Sequence, residues 1–222
     1  MLLALSVVHP VPSALNAVLV AIVASIAGGE PSVAGALAGA MLSFQFSIGA
    51  LNDIADIEFD RRWKPRKPIP AGVATIKLAG AIVVLGAVVG LGISATFGIV
   101  VLALGATGYL SGVAYDLVMR RVGLGWLCLA AAIPLMLAWT WWAAAGTLPP
   151  GWPLLLPLAA LAGPVLHLAN SLVDVGPDTL SDRRSLATQL GPRRARVTLA
   201  TLMSIIVALA WATLATVGTA PG

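Results

Sequence analysis

Asn52 to Asp60 reads NDIADIEFD and closes an apolar stretch that begins near Val33. It holds four acids in nine residues. On a helix Asn52, Asp56 and Asp60 recur at i, i+4 and i+8, and Asp53 lies three residues before Asp56. These four side chains therefore share one side. Carboxylates at the end of a membrane span are costly unless a cation or a watery cavity compensates them. Asn170 to Asp178, NSLVDVGPD, repeats the Asn-xxx-Asp-xxx-Asp spacing at the end of another apolar stretch. One acidic helix end reads as a solvated cap; two copies of one pattern ask for more.

Outward from these stretches the chain is apolar. Of its 222 residues 59% are hydrophobic and only 10% charged, with mean hydropathy +0.97, where soluble domains run near a quarter charged. An all-α, multi-pass membrane protein follows. Cys128 is the one cysteine, which excludes a disulfide and a cysteine metal site. The start, MLLALSVVHP, lacks a charged n-region and a cleavage site, so no signal peptide is expected. A net charge of +4 could suggest nucleic acid, but the placement of the basic residues argues against that partner.

Apolar runs of about 20 residues mark the spans. Helices are expected over Val7–Ala27 and from Val33 into the first acidic stretch. The run from Ile76 to Tyr115 is too long for one span and is split at Ser94-Ala95-Thr96. Further helices follow over Trp126–Ala145, from Trp152 into the second acidic stretch, and over Val197–Val217. About seven spans result. Every Lys and Arg falls in three connections or the helix starts beside them: Arg61 to Lys77, Arg120–Arg121, and Arg183 to Arg196. The positive-inside rule then puts these loops and the N-terminus on the cytoplasmic side. Both acidic ends are expected on that face of the cell membrane. Trp139, Trp141 and Trp142 are expected as an interfacial belt at the other face. The whole chain, 1–222, reads as one transmembrane domain with two pseudo-repeats centred on 52–72 and 170–191. Each has acids on a helix end, then basic residues, then a glycine, Gly72 or Gly191.

Paired carboxylate clusters are hard-oxygen sites suited to Mg²⁺, or to Mn²⁺ as an alternative. The cations beside them, Arg61, Arg62, Lys64, Arg66, Lys67, Arg120, Arg121, Arg183 and Arg184, complete the parts needed to bind a diphosphate. In a membrane that diphosphate would carry a lipid tail. A polar stripe approaches each cluster: Gln45, Gly49, Asn52 and Asp56 on one helix, and His167, Asn170, Asp174 and Asp178 on the other. Such stripes face a bundle interior.

On these motifs the sequence resembles the UbiA family of intramembrane polyprenyltransferases. NDIADIEFD fits the family's NDxxDxxxD, and RKPIPAG is similar to its basic-Pro-x-x-x-Gly segment. DVGPD fits DxxxD, SLATQLG resembles the tail that follows it, and YDLVMR resembles the tyrosine-plus-cation loop. The resemblance implies a helical bundle with a central cavity, and Mg²⁺-dependent transfer of a prenyl group from a polyprenyl diphosphate to a small acceptor, aromatic or of a lipid pathway. It implies metal binding and catalysis at Asp53, Asp56, Asp60, Asp174 and Asp178. It implies substrate binding at Asn52, Arg66, Lys67, Tyr115, Arg120 and Asn170, with Gln45 on the approach. Departures are a count of about seven spans against the family's usual nine, which leaves the last two missing, together with Asp182, Ser185 and the lack of an Arg before the first helix.

Other readings stay open. The same scaffold could transfer a phosphoribosyl group to a prenyl phosphate. An intramembrane cation or proton carrier would explain the acids but not the arginines beside them. A truncated, inactive family member would explain the missing spans. Glu58 points away from the other acids and reads as solvated. Arg193, Arg194 and Arg196 read as headgroup anchors. His9 and Asn16 are left undecided, as is the oligomeric state.

Overall fold

The computed structural model describes residues 6–149, 151–181 and 183–218. Among these residues all regular structure is helical. After a 3₁₀ turn at Ser6–Val8 come α1 (Pro10–Ile26), α2 (Pro31–Ala55), α3 (Ile57–Trp63), α4 (Ile76–Thr96) and α5 (Ile99–Ala114), which runs into a π-helical turn, Tyr115–Met119. Then follow α6 (Gly125–Ala145), α7 (Trp152–Val173), α8 (Val175–Leu180), α9 (Leu186–Leu190) and α10 (Pro192–Gly218). Asp182, the added acid of the second stretch, lies outside the described residues.

Among the described residues, six helical segments are long and apolar enough to cross a membrane: α2, α4, α5 with its π turn, α6, α7 and α10. The first expected span is α1, apolar but only 17 residues long, at the short end of what spans a bilayer. The long apolar run from Ile76 divides at Phe97-Gly98, just past the expected Ser94-Ala95-Thr96, which stays in the last turn of α4. Starts are set by local chemistry. Pro31 opens α2, where its missing N–H costs nothing, and the Thr75 side chain accepts from the Leu78 N–H at 3.1 Å to cap α4.

The chain forms two compact units. Unit 1 comprises residues 1–117 and 135–148, and unit 2 comprises 118–134 and 149–222. Helix α6 thus gives its first half to unit 2 and its second half to unit 1, with the internal Pro134 at the change.

In unit 1, α2 packs against α1, α4 and α5. Its core gathers Val20, Leu37, Met41, Phe44, Val101 and Trp139. Lipid tails are as apolar as leucine, so close packing rather than water exclusion holds such helices together. Gly90 on α4 leaves room for the Phe44 ring, and Phe44 stacks on Tyr109 with centroids 5.4 Å apart. One expectation is corrected here. Trp139 is not part of an interfacial belt but only 2% exposed, with its indole N–H donated to Ser94 Oγ at 3.2 Å. An indole N–H left alone in an apolar interior would cost several kcal/mol, about 2–7; Ser94 supplies the acceptor, which makes the burial affordable. In unit 2, α7 and α10 pack together with α9, around Leu168, Ala187 and Ala195.

Candidate functional site

In unit 1 the acidic stretch crosses a joint. Helix α2 ends at Ala55 and α3 begins at Ile57, with Asp56 between them at φ −100°, ψ 6°. This lies in the sparsely populated bridge region where many active-site residues sit. The Asp56 N–H still donates to the Asn52 carbonyl at 3.0 Å, and the Asp60 N–H to the Asp56 carbonyl at 2.8 Å. Helical spacing therefore survives the joint, and Asp53, Asp56 and Asp60 are all buried, at 1%, 5% and 1% exposure. Glu58 points outward and pairs with Arg61 at 3.4 Å, as the spacing anticipates.

The proline-rich loop after α3 returns Lys67 to these acids. Its ammonium lies 2.7 Å from Asp53 Oδ1 and 2.8 Å from Asp60 Oδ2. Burial pushes the Asp60 carboxyl above the ordinary carboxylate range, against the pull of Lys67. Burial also disfavours charge on Lys67, but the hydrogen bonds and charges of Asp53 and Asp60 outweigh it and raise its pKa. The ammonium is thus held charged between the two aspartates. Two further oxygens, Asp53 Oδ2 and Asp60 Oδ1, are buried with no hydrogen-bond partner among the described residues.

His9 closes the other side. Its Nε2 lies 3.2 Å from the same Asp53 Oδ1. The residue adopts a left-handed backbone, φ 47°, unusual for a residue other than glycine, just before Pro10 starts α1. Gly49, one turn before Asp53, permits this approach: a Cβ there would stand 3.0 Å from the His9 ring. Beside this group opens a cavity of about 670 Å³, bordered by His9, Asp53, Trp63, Lys64, Arg66 and Lys67. Arg66 is exposed at its rim.

Asn52 donates its side-chain N–H to Asp116 Oδ1 at 2.8 Å. Asp116 is 1% exposed and sits in the π turn next to Tyr115. The sequence reading named Tyr115 and passed over Asp116, although an acid at the end of an apolar span is itself a signal. Gln45 turns back along its own helix, with Nε2 3.7 Å from Met41 Sδ.

In unit 2, α7 ends at Val173 and α8 begins at Val175, with Asp174 between them at φ −101°, ψ 7°. The Asp178 N–H donates to the Asp174 carbonyl at 2.9 Å. Asp178 is 8% exposed, Asp174 half-buried and Asn170 exposed. His167, one helical turn before Asn170, is buried and feels the charge of Arg120. Ser185 then opens α9 with a reciprocal cap: its Oγ accepts from the Thr188 N–H at 3.2 Å, and its own N–H donates to Thr188 Oγ1 at 2.8 Å. Gly191 leads into α10 at φ 77°, as Gly72 ends the first loop at φ 72°.

The donors fit a hard divalent ion. They are carboxylate oxygens, two of them buried and unbonded in unit 1. Among the described residues no three acids, histidines or cysteines converge as a ready cage. Mg²⁺ does not require one, because it keeps several waters and is held by one or two carboxylates plus substrate phosphates.

The family model described as the UbiA prenyltransferase family matches residues 13–222. The chain belongs to that family. This UbiA member is therefore a membrane-embedded prenyltransferase by class, with the all-helical fold of its relatives. A UbiA homologue from Archaeoglobus fulgidus, solved bound to GPP and Mg²⁺, superposes with a TM-score of 0.80 at 17% identity, covering 96% of this chain and 77% of that one. The apo UbiA homologue from Aeropyrum pernix K1 gives 0.78 at 20% identity, covering 94% and 80%. A digeranylgeranylglyceryl phosphate synthase structure gives 0.72 at 16% identity, covering 93% and 75%. No curated protein matches the chain.

Proposed function

We propose that this UbiA member is a Mg²⁺-dependent enzyme that moves a prenyl group from a polyprenyl diphosphate to a small acceptor within the membrane, with its acidic stretches on the cytoplasmic face. The observation that carries the reading is the buried group Asp53, Asp56 and Asp60 with the half-buried Lys67 among them, and unbonded carboxylate oxygens beside a basic-walled cavity. Support also comes from Archaeoglobus fulgidus homologues solved with GPP and Mg²⁺ and with DMAPP and Mg²⁺.

Asp53, Asp56 and Asp60 in unit 1, and Asp174 and Asp178 in unit 2, hold the divalent ions, for which Mn²⁺ can substitute. When bound, the ion neutralises charge that grows on the leaving diphosphate. Lys67 and Arg66 in unit 1, and Arg120 in unit 2, are the cations assigned to diphosphate oxygens. Lys67, seated between Asp53 and Asp60, also borders the cavity. Tyr115 and Asn170 line the reacting region, and Gln45 borders the path of the prenyl tail. Ionisation breaks the allylic C–O bond with its electron pair leaving on the diphosphate; the acceptor then bonds to the resulting allylic cation and gives up one proton, to the released diphosphate or to water.

Asp56→Ala and Asp174→Ala should each lower Mg²⁺-dependent diphosphate release by about a thousandfold, the several kcal/mol that metal stabilisation supplies; full turnover in either variant contradicts the assignment. The membrane face is tested separately. In a Cys128→Ser background, Lys64→Cys and Arg184→Cys should both label from the cytoplasmic side with an impermeant reagent, and labelling from opposite sides contradicts the proposed topology.

A further inference from the structure

We infer that Asp116 is a positioning residue that fixes which face of the Asn52 amide meets the metal. This deepens the proposed function and rests on it. A carboxylate only accepts hydrogen bonds, so the group that Asn52 turns to Asp116 Oδ1 at 2.8 Å is its NH₂. That leaves the amide oxygen as the end of Asn52 that faces away from Asp116. Asn52 immediately precedes Asp53, whose Oδ2 is buried and unbonded. Asn52 is therefore placed to offer its amide oxygen to a cation or its water.

The backbone around Asp116 fits such a role. Helix α5 changes from α- to π-helical hydrogen bonding at Tyr115, and Asp116 is the second residue of that turn. Single π turns inside longer helices recur at functional sites, because the widened turn re-aims the side chains it carries. Asp116 is buried to 1% exposure, so its carboxylate is kept from bulk water. Carboxylates that orient a ligand in this way typically change metal affinity about 10–100-fold when removed.

The test uses the full chain in detergent, with free Mn²⁺ counted by electron paramagnetic resonance and Mg²⁺ activation measured on prenyl diphosphate turnover. Asp116→Leu should weaken Mn²⁺ binding about 10–100-fold and raise the Mg²⁺ activation constant in parallel, with the KM for prenyl diphosphate little changed. The exchange variant Asn52→Asp with Asp116→Asn keeps the hydrogen bond in the opposite sense and keeps an oxygen towards the metal. It should recover Mn²⁺ affinity to within about tenfold of the original chain, and it decides the matter if Asp116→Leu does not fold. The inference is overturned if Asp116→Leu binds Mn²⁺ like the unaltered chain, if only the prenyl diphosphate KM moves, or if the exchange variant binds no better than Asn52→Asp alone. An unaltered chain that neither binds Mn²⁺ nor needs Mg²⁺ overturns the metal-site reading itself, and this inference with it.

Discussion

Asp56 and Asp174 have nearly the same backbone, φ −100°, ψ 6° and φ −101°, ψ 7°, yet different surroundings. Each stands alone between a long helix and a short one, with an asparagine four residues before and an aspartate four residues after. Each is followed by a basic loop and a glycine at positive φ, Gly72 or Gly191. Around Asp56 the acids are sealed: Asp53 and Asp60 share Lys67, His9 closes on Asp53, and Asp116 holds Asn52. In the second stretch Asn170 is exposed and Asp174 itself half-buried, and only Asp178 is buried. Local backbone geometry is thus repeated where the pattern is repeated, while the degree of closure depends on what the rest of each unit brings.

The sealed half should be the more fragile. Lys67→Met leaves Asp53 and Asp60 buried without their ammonium, and removing one partner of a buried ion pair costs about 3–5 kcal/mol. The thermal midpoint in detergent should fall markedly, and added Mg²⁺ should recover part of the loss by supplying another cation. An unchanged midpoint would mean that Lys67 is dispensable to unit 1. The exposed Arg193 of unit 2 serves as the control, with Arg193→Met expected to change little.

The asparagines separate the two halves by function. Asn52→Ala removes a half-buried group tied to Asp116 and should cost about 10–100-fold in Mg²⁺-dependent turnover. Asn170→Ala removes an exposed side chain and should cost less. Equal losses at both positions would mean that the exposed asparagine is recruited as fully as the half-buried one.

The smallest effect concerns the loop of the second half. Ser185→Ala removes the cap on the Thr188 N–H and should lower stability by about 1 kcal/mol, read as a shift in thermal midpoint with the Mg²⁺ requirement unaltered. Ser185→Thr keeps the hydroxyl and should be close to neutral.

Much of this was legible in the sequence because it depends on short-range pattern. The i, i+4 acids, the apolar runs, the break near Ser94–Thr96 and the outward Glu58 follow from helical period and hydropathy alone. The joints at Asp56 and Asp174 were not legible, since spacing is the same with or without a one-residue interruption. Asp116 and His9 escaped because their meaning lies in partners far along the chain: Asp116 meets Asn52, and His9 meets Asp53 through the space left by Gly49. Trp139 was misread for a similar reason. A tryptophan near a helix end suits an interface, and only the facing Ser94 reveals that it is withdrawn into the core.

The claim at the centre is that this UbiA member uses its aspartates and a divalent ion to draw diphosphate from a prenyl carrier. It is tested most directly by incubating the purified chain with geranyl diphosphate and a lipid extract, with Mg²⁺ or with excess chelator, and measuring released diphosphate together with the mass of any new product. The account predicts diphosphate release and a product heavier by one prenyl group, both present with Mg²⁺ and absent with chelator. Release that proceeds equally under chelation, or Mg²⁺-replete protein that leaves every prenyl diphosphate of a chain-length panel intact, would contradict it.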